Sequence, residues 1–487
     1  MLLSLLFLQD APSESTIPAA ANDLADLLEP PIDPNACSEA DPAVLTDGGA
    51  SDPDAVATLE AWAFPELTPE QEEERLGIRT DGLVIVHQGQ VVYERYDRGY
   101  TAETPHLMWS VTKTLTNAMT GVAVEQGALS VDDSICDHLA LETHCDITVA
   151  NLLEFSSGLD WRETYAGDPP TTSTVIAMLY GAGRGDIAAY VHQTPKGAEP
   201  GTRWQYSSGD TNLLAAVVQS AMKDQEGFPF AGLFDELGMD SLVLERDEAG
   251  TIVGSSYGYA TPRDMAKFGQ FMLNDGCVRG ERMLPVGWME RSTVMAPSLR
   301  LHAVDREAGD VNGRQIWLNR AVPELNETQP PWPDAPEDTY AAMGYWKQAI
   351  LVIPSQDLVI ARTGDDRDGS FEWNTLLGHA MAVIGAEAPP HPTMTASDSG
   401  ELSASLSRKE DMGLLGLGTG YGAKLACSCA YVMGMEEDFC RTWIKASPDL
   451  VKVKFDPDTQ SVTARALLTN TTTASWRGPR EGCTLEP

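Results

Sequence analysis

The stretch "HLMWSVTKTLTNAMTGVAVEQGALSVDD", residues 106–133, decides how the chain is read. From Leu115 onward, apolar residues recur at helical spacing, and Gly127 supplies a plausible C-cap. Ser110 and Lys113 stand where this helix should begin. At i and i+3 they share one helix face. A serine hydroxyl is a poor nucleophile until a base takes its proton. The free backbone N–H groups of a first turn lie beside Ser110 and can stabilise an oxyanion. The positive helix end disfavours a charged Lys113, and burial disfavours it further. A neutral or proton-sharing lysine beside a serine is a workable base. Ser-x-x-Lys nevertheless arises by chance roughly once in a chain of this length. An ordinary helix start with an exposed lysine is therefore the competing reading, and the surrounding chain has to choose.

Upstream, "DGLVIVHQGQVVYERYDRG" places two alternating apolar stretches around Gln-Gly, a β-hairpin. Downstream, "TVANLLEFSSGL", "DTNLLAAVVQSAM" and "TPRDMAKFGQFMLNDG" read as helices, the last with Pro262 in its first turn and Gly276 beyond its end. "QAILVIPSQDLVIARTGD" gives two apolar strands around a tight turn, and "EWNTLLGHAMAVIGA" closes the region as a helix. Strands at both ends with helices between predict an α+β fold: an antiparallel sheet flanked by helices, with a helical insertion. The expected boundaries are a signal-like leader and acidic linker over 1–55, a main domain over 56–387 and a second linker over 388–410. A small β-rich, cysteine-containing module follows over 411–487. "LVKVKFDPDTQSVTARALL" is its hairpin.

The 487 residues exceed one compact core, and a 43% hydrophobic content suits a globular protein. The formal net charge is −39, which repels phosphate and excludes nucleic acid as the expected partner. No apolar run approaches the ~18 residues of a membrane-spanning helix. The eight cysteines form no paired CxxC framework, so zinc is disfavoured, and the histidines form no metal-binding cluster. Disulfides in an exported protein are the expectation. Cys136 and Cys145 should pair with each other. Cys427 and Cys429 are too close to bond, so each should reach a distant partner among Cys440 and Cys483. The short apolar start "MLLSLLFLQDAP" gives partial support for periplasmic or secreted localisation, although no Lys or Arg precedes it.

Four further stretches give the helix start its context: "LLEFSSGLDW" (152–161), "PGTRWQYSSGDTNLLAAVV" (200–218), "GSSYGYATPRDMAKFGQFMLNDG" (254–276) and "YAAMGYWKQAILVIPSQDLVIARTG" (340–364). In this order they resemble the serine β-lactamase and penicillin-binding-protein superfamily. The match is nearest to its class C-like branch of esterases, D-peptidases and linear-amide hydrolases, over about residues 70–385. The resemblance implies an acyl-enzyme on Ser110, with Lys113 as its proton partner and Tyr206 as general base and acid. Nearby positive charge from Lys113 is expected to lower the Tyr206 phenol. The N–H groups of Ser110 and Gln348 would form the oxyanion hole. Trp109, Ser208, Tyr345, Trp346 and Lys347 would line the substrate path. Neither metal nor organic cofactor is implied.

Two positions depart from the family pattern. Ser208 replaces the asparagine of the second motif, which points towards esters or small linear amides and away from β-lactams. Lys347 stands in place of the third motif's glycine. If 345–347 is strand, Tyr345 and Lys347 share a face, and Lys347 is expected to return a cation to the active site. The competing outcomes are that it plugs the substrate groove or that a bulge in the strand points it to solvent. The alternatives left open are a D-alanyl carboxypeptidase or β-lactamase, and a catalytically inactive binding or sensor protein. Oligomeric state is not legible.

Overall fold

The computed structural model describes residues 37–50, 52–164, 172–387, 414–445, 451–466 and 470–486. The predicted hairpin forms as β2 (Thr80–His87) and β3 (Gln90–Tyr96). Its turn places both Gln88 (φ 53°) and Gly89 (φ 73°) in the left-handed region, the backbone twist that suits a two-residue hairpin. Five more strands complete the main sheet: β1 (Thr46–Asp47), β4 (Trp317–Leu318), β5 (Tyr340–Gly344), β6 (Gln348–Ile353) and β7 (Leu358–Gly364). The order is β1-β3-β2-β7-β6-β5-β4. All neighbours are antiparallel except β1, which runs parallel to β3. The two ends of the chain region thus meet at the β2–β7 ladder, as the order of elements predicts.

Both faces of this sheet are covered, so its central strands carry continuous apolar runs at 83–86, 349–353 and 358–361. On one face Val84, Val86, Ile350, Val352, Val359 and Ala361 pack against α2 (Val111–Glu125) and α4 (Pro262–Leu273), and α3 (Ser208–Ala221) packs on α2. On the other, Leu83, Ile85, Leu351, Ile353, Leu358 and Ile360 pack against α1 (Pro53–Ala63) and α5 (Trp373–Val383). Each buried aliphatic side chain contributes about 1.5–3 kcal/mol of transfer free energy.

The expected 1–55 leader and linker needs correction. Residues 1–36 lie outside the described residues, but Cys37 is bonded to Cys277, and β1 joins the sheet. α1 begins at Pro53 on an Asp52 cap. Polar, proline-rich composition hid a segment held by one covalent bond and one short ladder. The expected linker at 388–410 also lies outside the described residues. Beyond it, the module is not β alone. The 18-residue α6 (Leu414–Tyr431) lies against a sheet of β8 (Val451–Asp456), β9 (Ser461–Ala466), β10 (Asn470–Gly478) and β11 (Gly482–Leu485), and α7 (Glu437–Trp443) follows α6. Cys427–Cys483 and Cys429–Cys440 staple it, and Cys136–Cys145 pair separately. Leu417, Ala423 and Trp443 belong to the same hydrophobic cluster as α2 and α3, so the module shares the main core.

Candidate active site

Ser110 occupies the N-cap of α2 but makes no side-chain capping hydrogen bond. An ordinary helix-start serine would spend its oxygen on the first-turn N–H groups; this one leaves it for Lys113. The preceding residue, Trp109, has φ 49°, a conformation unusual for a bulky residue and found disproportionately at functional sites.

Lys113 is buried, and its Nζ donates to Ser110 Oγ (3.0 Å), Ser208 Oγ (2.9 Å) and the Ser255 carbonyl (3.0 Å). Ser208, expected to line the substrate path, is instead fully buried. Its hydroxyl donates to Glu163 Oε1 at 2.5 Å. That fixes the Ser208 proton on the carboxylate side and leaves a lone pair for Lys113. The Ser255 carbonyl can only accept. Two of the three Nζ directions are therefore committed to N–H donation, and the third faces Ser110. When Lys113 is neutral, its lone pair falls on the serine hydroxyl. Burial lowers the Lys113 ammonium to about 8, while the Glu163 charge opposes the fall.

Glu163 was not singled out from sequence. Its second oxygen accepts from Trp161 Nε1 (2.5 Å) and the Ser208 amide (2.9 Å). Nothing periodic marks it, because its partners come from two separate parts of the chain. The only sequence signal is an acidic residue two places after Trp161, in a loop beside a family-like motif.

Tyr206 is brought to Ser110, with which its hydroxyl hydrogen-bonds, and the Lys113 Nζ lies 4.9 Å from its ring centroid. The expected lowering of this phenol does not occur. Burial raises it above its ordinary value, Glu163 adds to the rise, and the Ser110 hydrogen bond only partly offsets them. Tyr206 therefore stands as a protonated phenol. In Ser207–Asp210, the cap and first turn of α3 that follow it, the buried Asp210 accepts from Ser157 Oγ (2.7 Å) and Ser207 Oγ (3.1 Å).

The third stretch also differs from expectation. Tyr345, Trp346 and Lys347 form the turn between β5 and β6, with Trp346 at φ 59° and Lys347 at φ 66°. Tyr345 and Lys347 do not share a strand face. Lys347 Nζ lies 5.9 Å from the Trp373 ring centroid, on a residue of the opposite core cluster, so its charge is not returned to Ser110. Its left-handed backbone is where a glycine fits best. The turn is held from within. Arg362 Nη1 donates to the Lys347 carbonyl (2.7 Å), and Gln348 Nε2 donates to the carbonyls of Tyr345 (3.2 Å), Trp346 (3.2 Å) and Gly364 (2.6 Å). Gln348 pairs with Gly344 at the first rung, and a Cβ on Gly344 would stand 2.2 Å from the Met108 carbonyl. The strand end that carries Gln348 is thus pressed against the turn that delivers Ser110. Trp109 and Trp346 meet edge to face at 5.3 Å, both buried, while Tyr345 is half exposed beside them.

Residues 68–370 match the family model described as Beta-lactamase. The chain belongs to the beta-lactamase family. Within that family it is 27% identical over 332 residues to the 6-aminohexanoate-dimer hydrolase of Paenarthrobacter ureafaciens, covering 64% of this chain and 79% of that one. Solved structures extend the likeness of fold. The octameric penicillin-binding protein homologue from Pyrococcus abyssi superposes with a TM-score of 0.50 at 17% identity, over 86% of this chain and 90% of that chain. EstCE1, described as a hydrolase with promiscuous acyltransferase activity, gives 0.50 at 15% identity, over 68% and 99%. This beta-lactamase family member is a serine hydrolase. Among the described residues no helix is long and apolar enough to cross a membrane.

Proposed function

We propose that this protein cleaves esters or small linear amides through an acyl-enzyme on Ser110. The observation that carries the reading is the commitment of two Lys113 directions to Ser208 and Ser255, which aims the third at Ser110 Oγ. Neutral Lys113 takes the Ser110 proton as Oγ attacks the carbonyl carbon. The N–H groups of Ser110 and Gln348 hold the oxyanion. Tyr206 gives its proton to the departing alcohol or amine and regains one from the Lys113 ammonium. Water then attacks the acyl carbon, one of its protons passes back to Ser110 Oγ, and a carboxylic acid leaves. Tyr206 acts as a relay here, since its phenol is too weak an acid to serve as a standing base. The half-exposed Tyr345 and the edge of Trp109 are proposed to meet the substrate. Ser208 serves the lysine in this reading, and Lys347 takes no part.

Small linear amides enter the proposal through the relative, whose printed name is a hydrolase of a linear amide dimer. The four disulfides support action outside the cytoplasm, in the periplasm or medium. The test is labelling with a fluorophosphonate probe, followed by intact-protein mass spectrometry. Wild type should gain one probe mass, and Ser110→Ala should gain none while keeping its fold. Labelling of Ser110→Ala at another serine overturns the assignment.

A further inference from the structure

Asn212 is a fully buried amide on the largely apolar α3. Such a group is costly inside a protein unless its hydrogen bonds are made. It stands one turn beyond Ser208, and residues four apart share one helix face. Ser208 meets Lys113 directly, accepting from its Nζ at 2.9 Å. Asn212 meets Ser255, whose carbonyl is the other fixed acceptor of the lysine, at 3.0 Å.

The Ser255 amide N–H donates to Asn212 Oδ1 (3.2 Å), and Asn212 Nδ2 donates to Ser255 Oγ (2.9 Å). A backbone N–H can only donate, so it settles which end of the Asn212 amide faces which atom. The peptide before Ser255 is gripped at its other end as well. There Thr116 Oγ1, on α2, donates to the Gly254 carbonyl (3.0 Å). The approach is close: a Cβ on Gly254 would stand 2.5 Å from that hydroxyl. Beyond Ser255, the Ser256 amide donates to the Val253 carbonyl (3.2 Å) and closes the turn. Asn212 therefore takes hold of Ser255 at two atoms, one on the backbone and one on the side chain. The rotations about the Ser255 Cα are restrained by this, and its carbonyl keeps one direction.

We propose that Asn212 is a positioning residue for the base: it holds the Ser255 carbonyl on Lys113 and so keeps the lysine lone pair on Ser110. The inference rests on the reading of Lys113 as the group that takes the Ser110 proton. Asn212 touches neither the substrate nor the reacting atoms. An amine with three hydrogen-bonding directions is aimed only when two of them are held. α3 holds both, one through Ser208 and the other through Asn212 and Ser255. A carbonyl acceptor also favours the ammonium over the neutral amine. Releasing it has two effects that loss of packing alone does not combine. The ammonium gives up its proton more easily, and the neutral amine is no longer aimed.

The experiment follows the rate at which a fluorophosphonate labels Ser110 of the full chain across pH, read by intact-protein mass spectrometry. Asn212→Leu nearly keeps the side-chain volume and removes both hydrogen bonds. Ser255→Ala keeps the carbonyl and removes only the hold on Oγ. Wild-type labelling should quicken with pH and level off above an apparent pKa near 8. In Asn212→Leu the limb should move down by at least about half a pH unit. Its plateau rate should fall at least about tenfold, the scale on which misplaced catalytic groups lose rate. Ser255→Ala should change both in the same directions by less, and it decides the matter should Asn212→Leu not fold. Glu163, whose charge raises Lys113, and Tyr206, which keeps its proton, are untouched by either variant. Asp210, raised by burial to about 7, turns to Ser157 and Ser207. A difference from wild type is therefore a change at Lys113. A wild type that takes no label at Ser110 removes the reading of the reaction, and this inference with it. A labelled wild type with the limb or the plateau unmoved in both variants, or with the limb moving up, overturns this inference alone, whatever the melting temperature does.

Discussion

A lysine that donates to three acceptors uses all three of its protons, and a lysine that acts as a base must do without one. Lys113 resolves this by burial, which brings its ammonium down to about 8. The neutral form is the active one, so kcat/KM for an ester should climb with pH and level off above an apparent pKa near 8. Glu163 raises that value by its charge. Glu163→Gln should therefore move the limb to lower pH, while also slowing the plateau, because the Ser208 hydroxyl loses its fixed acceptor. A limb that stays in place or moves upward would show that the carboxylate does not act on Lys113. Lys347 yields the opposite kind of prediction. At φ 66° a non-glycine residue bears about 1–2 kcal/mol of strain, and its ammonium regains roughly 0.5–1 kcal/mol over Trp373. Lys347→Gly should leave ester turnover within about twofold, on the scale at which non-contacting positions matter little, and should hold or raise the melting temperature. A large loss of turnover would mean that the charge does reach the reacting groups.

At the scale of elements, the sequence was most readable where a pattern repeats within one segment. The β2–β3 hairpin, the β6–β7 pair and α2, α3, α4 and α5 all follow from period and punctuation, because each is decided by neighbours a few residues away. Ser110 and Lys113 were legible for the same reason: one helix turn joins them. Glu163 and the 345–347 turn were not. Glu163 gains its role only when the loop after Trp161 folds back onto Ser208. Trp346 and Lys347 carry no turn signature, and their left-handed backbone is held by the adjacent Gln348 side chain and by Arg362 from the neighbouring strand. Gly344 is the point where that turn meets the chemistry. Gly344→Ala would drive a methyl into the Met108 carbonyl, two residues before Ser110, so the end of β5 must retreat. Overpacking of this kind costs about 1–3 kcal/mol. The larger effect should fall on kcat, as Gln348 moves with the strand end and the oxyanion donors separate. A variant that loses stability but keeps full kcat would show that Gln348 is not one of those donors.

At the scale of the whole molecule, the sequence predicts a small C-terminal module beyond a linker, and that module proves to be part of the body. The structure joins it to the body by three means. Apolar residues of α6 enter the main cluster. The buried Lys424 pairs with Glu245 of the hydrolase region at 2.6 Å, and Glu245 Oε1 also accepts from Ser428 Oγ (2.6 Å) and the Cys483 amide (2.8 Å). Arg480 donates to the carbonyls of Met239 (3.0 Å) and Leu242 (3.1 Å). Cys427–Cys483 then ties α6 to β11 across 56 residues of chain. Closing a loop of that length removes about 4 kcal/mol of unfolded-state entropy on the chain-entropy account, and measured values fall at about 2–4 kcal/mol. The double variant Cys427→Ala, Cys483→Ala should therefore lower the urea-unfolding free energy by about 2–4 kcal/mol. Because the module shares the core, unfolding should remain a single transition by tryptophan fluorescence and by far-UV circular dichroism. Ester turnover should fall along with it near the midpoint, since Trp443 is packed on Trp346 and through it on Trp109. An early transition that leaves turnover intact would show instead that the module unfolds alone and that the hydrolase stands without it.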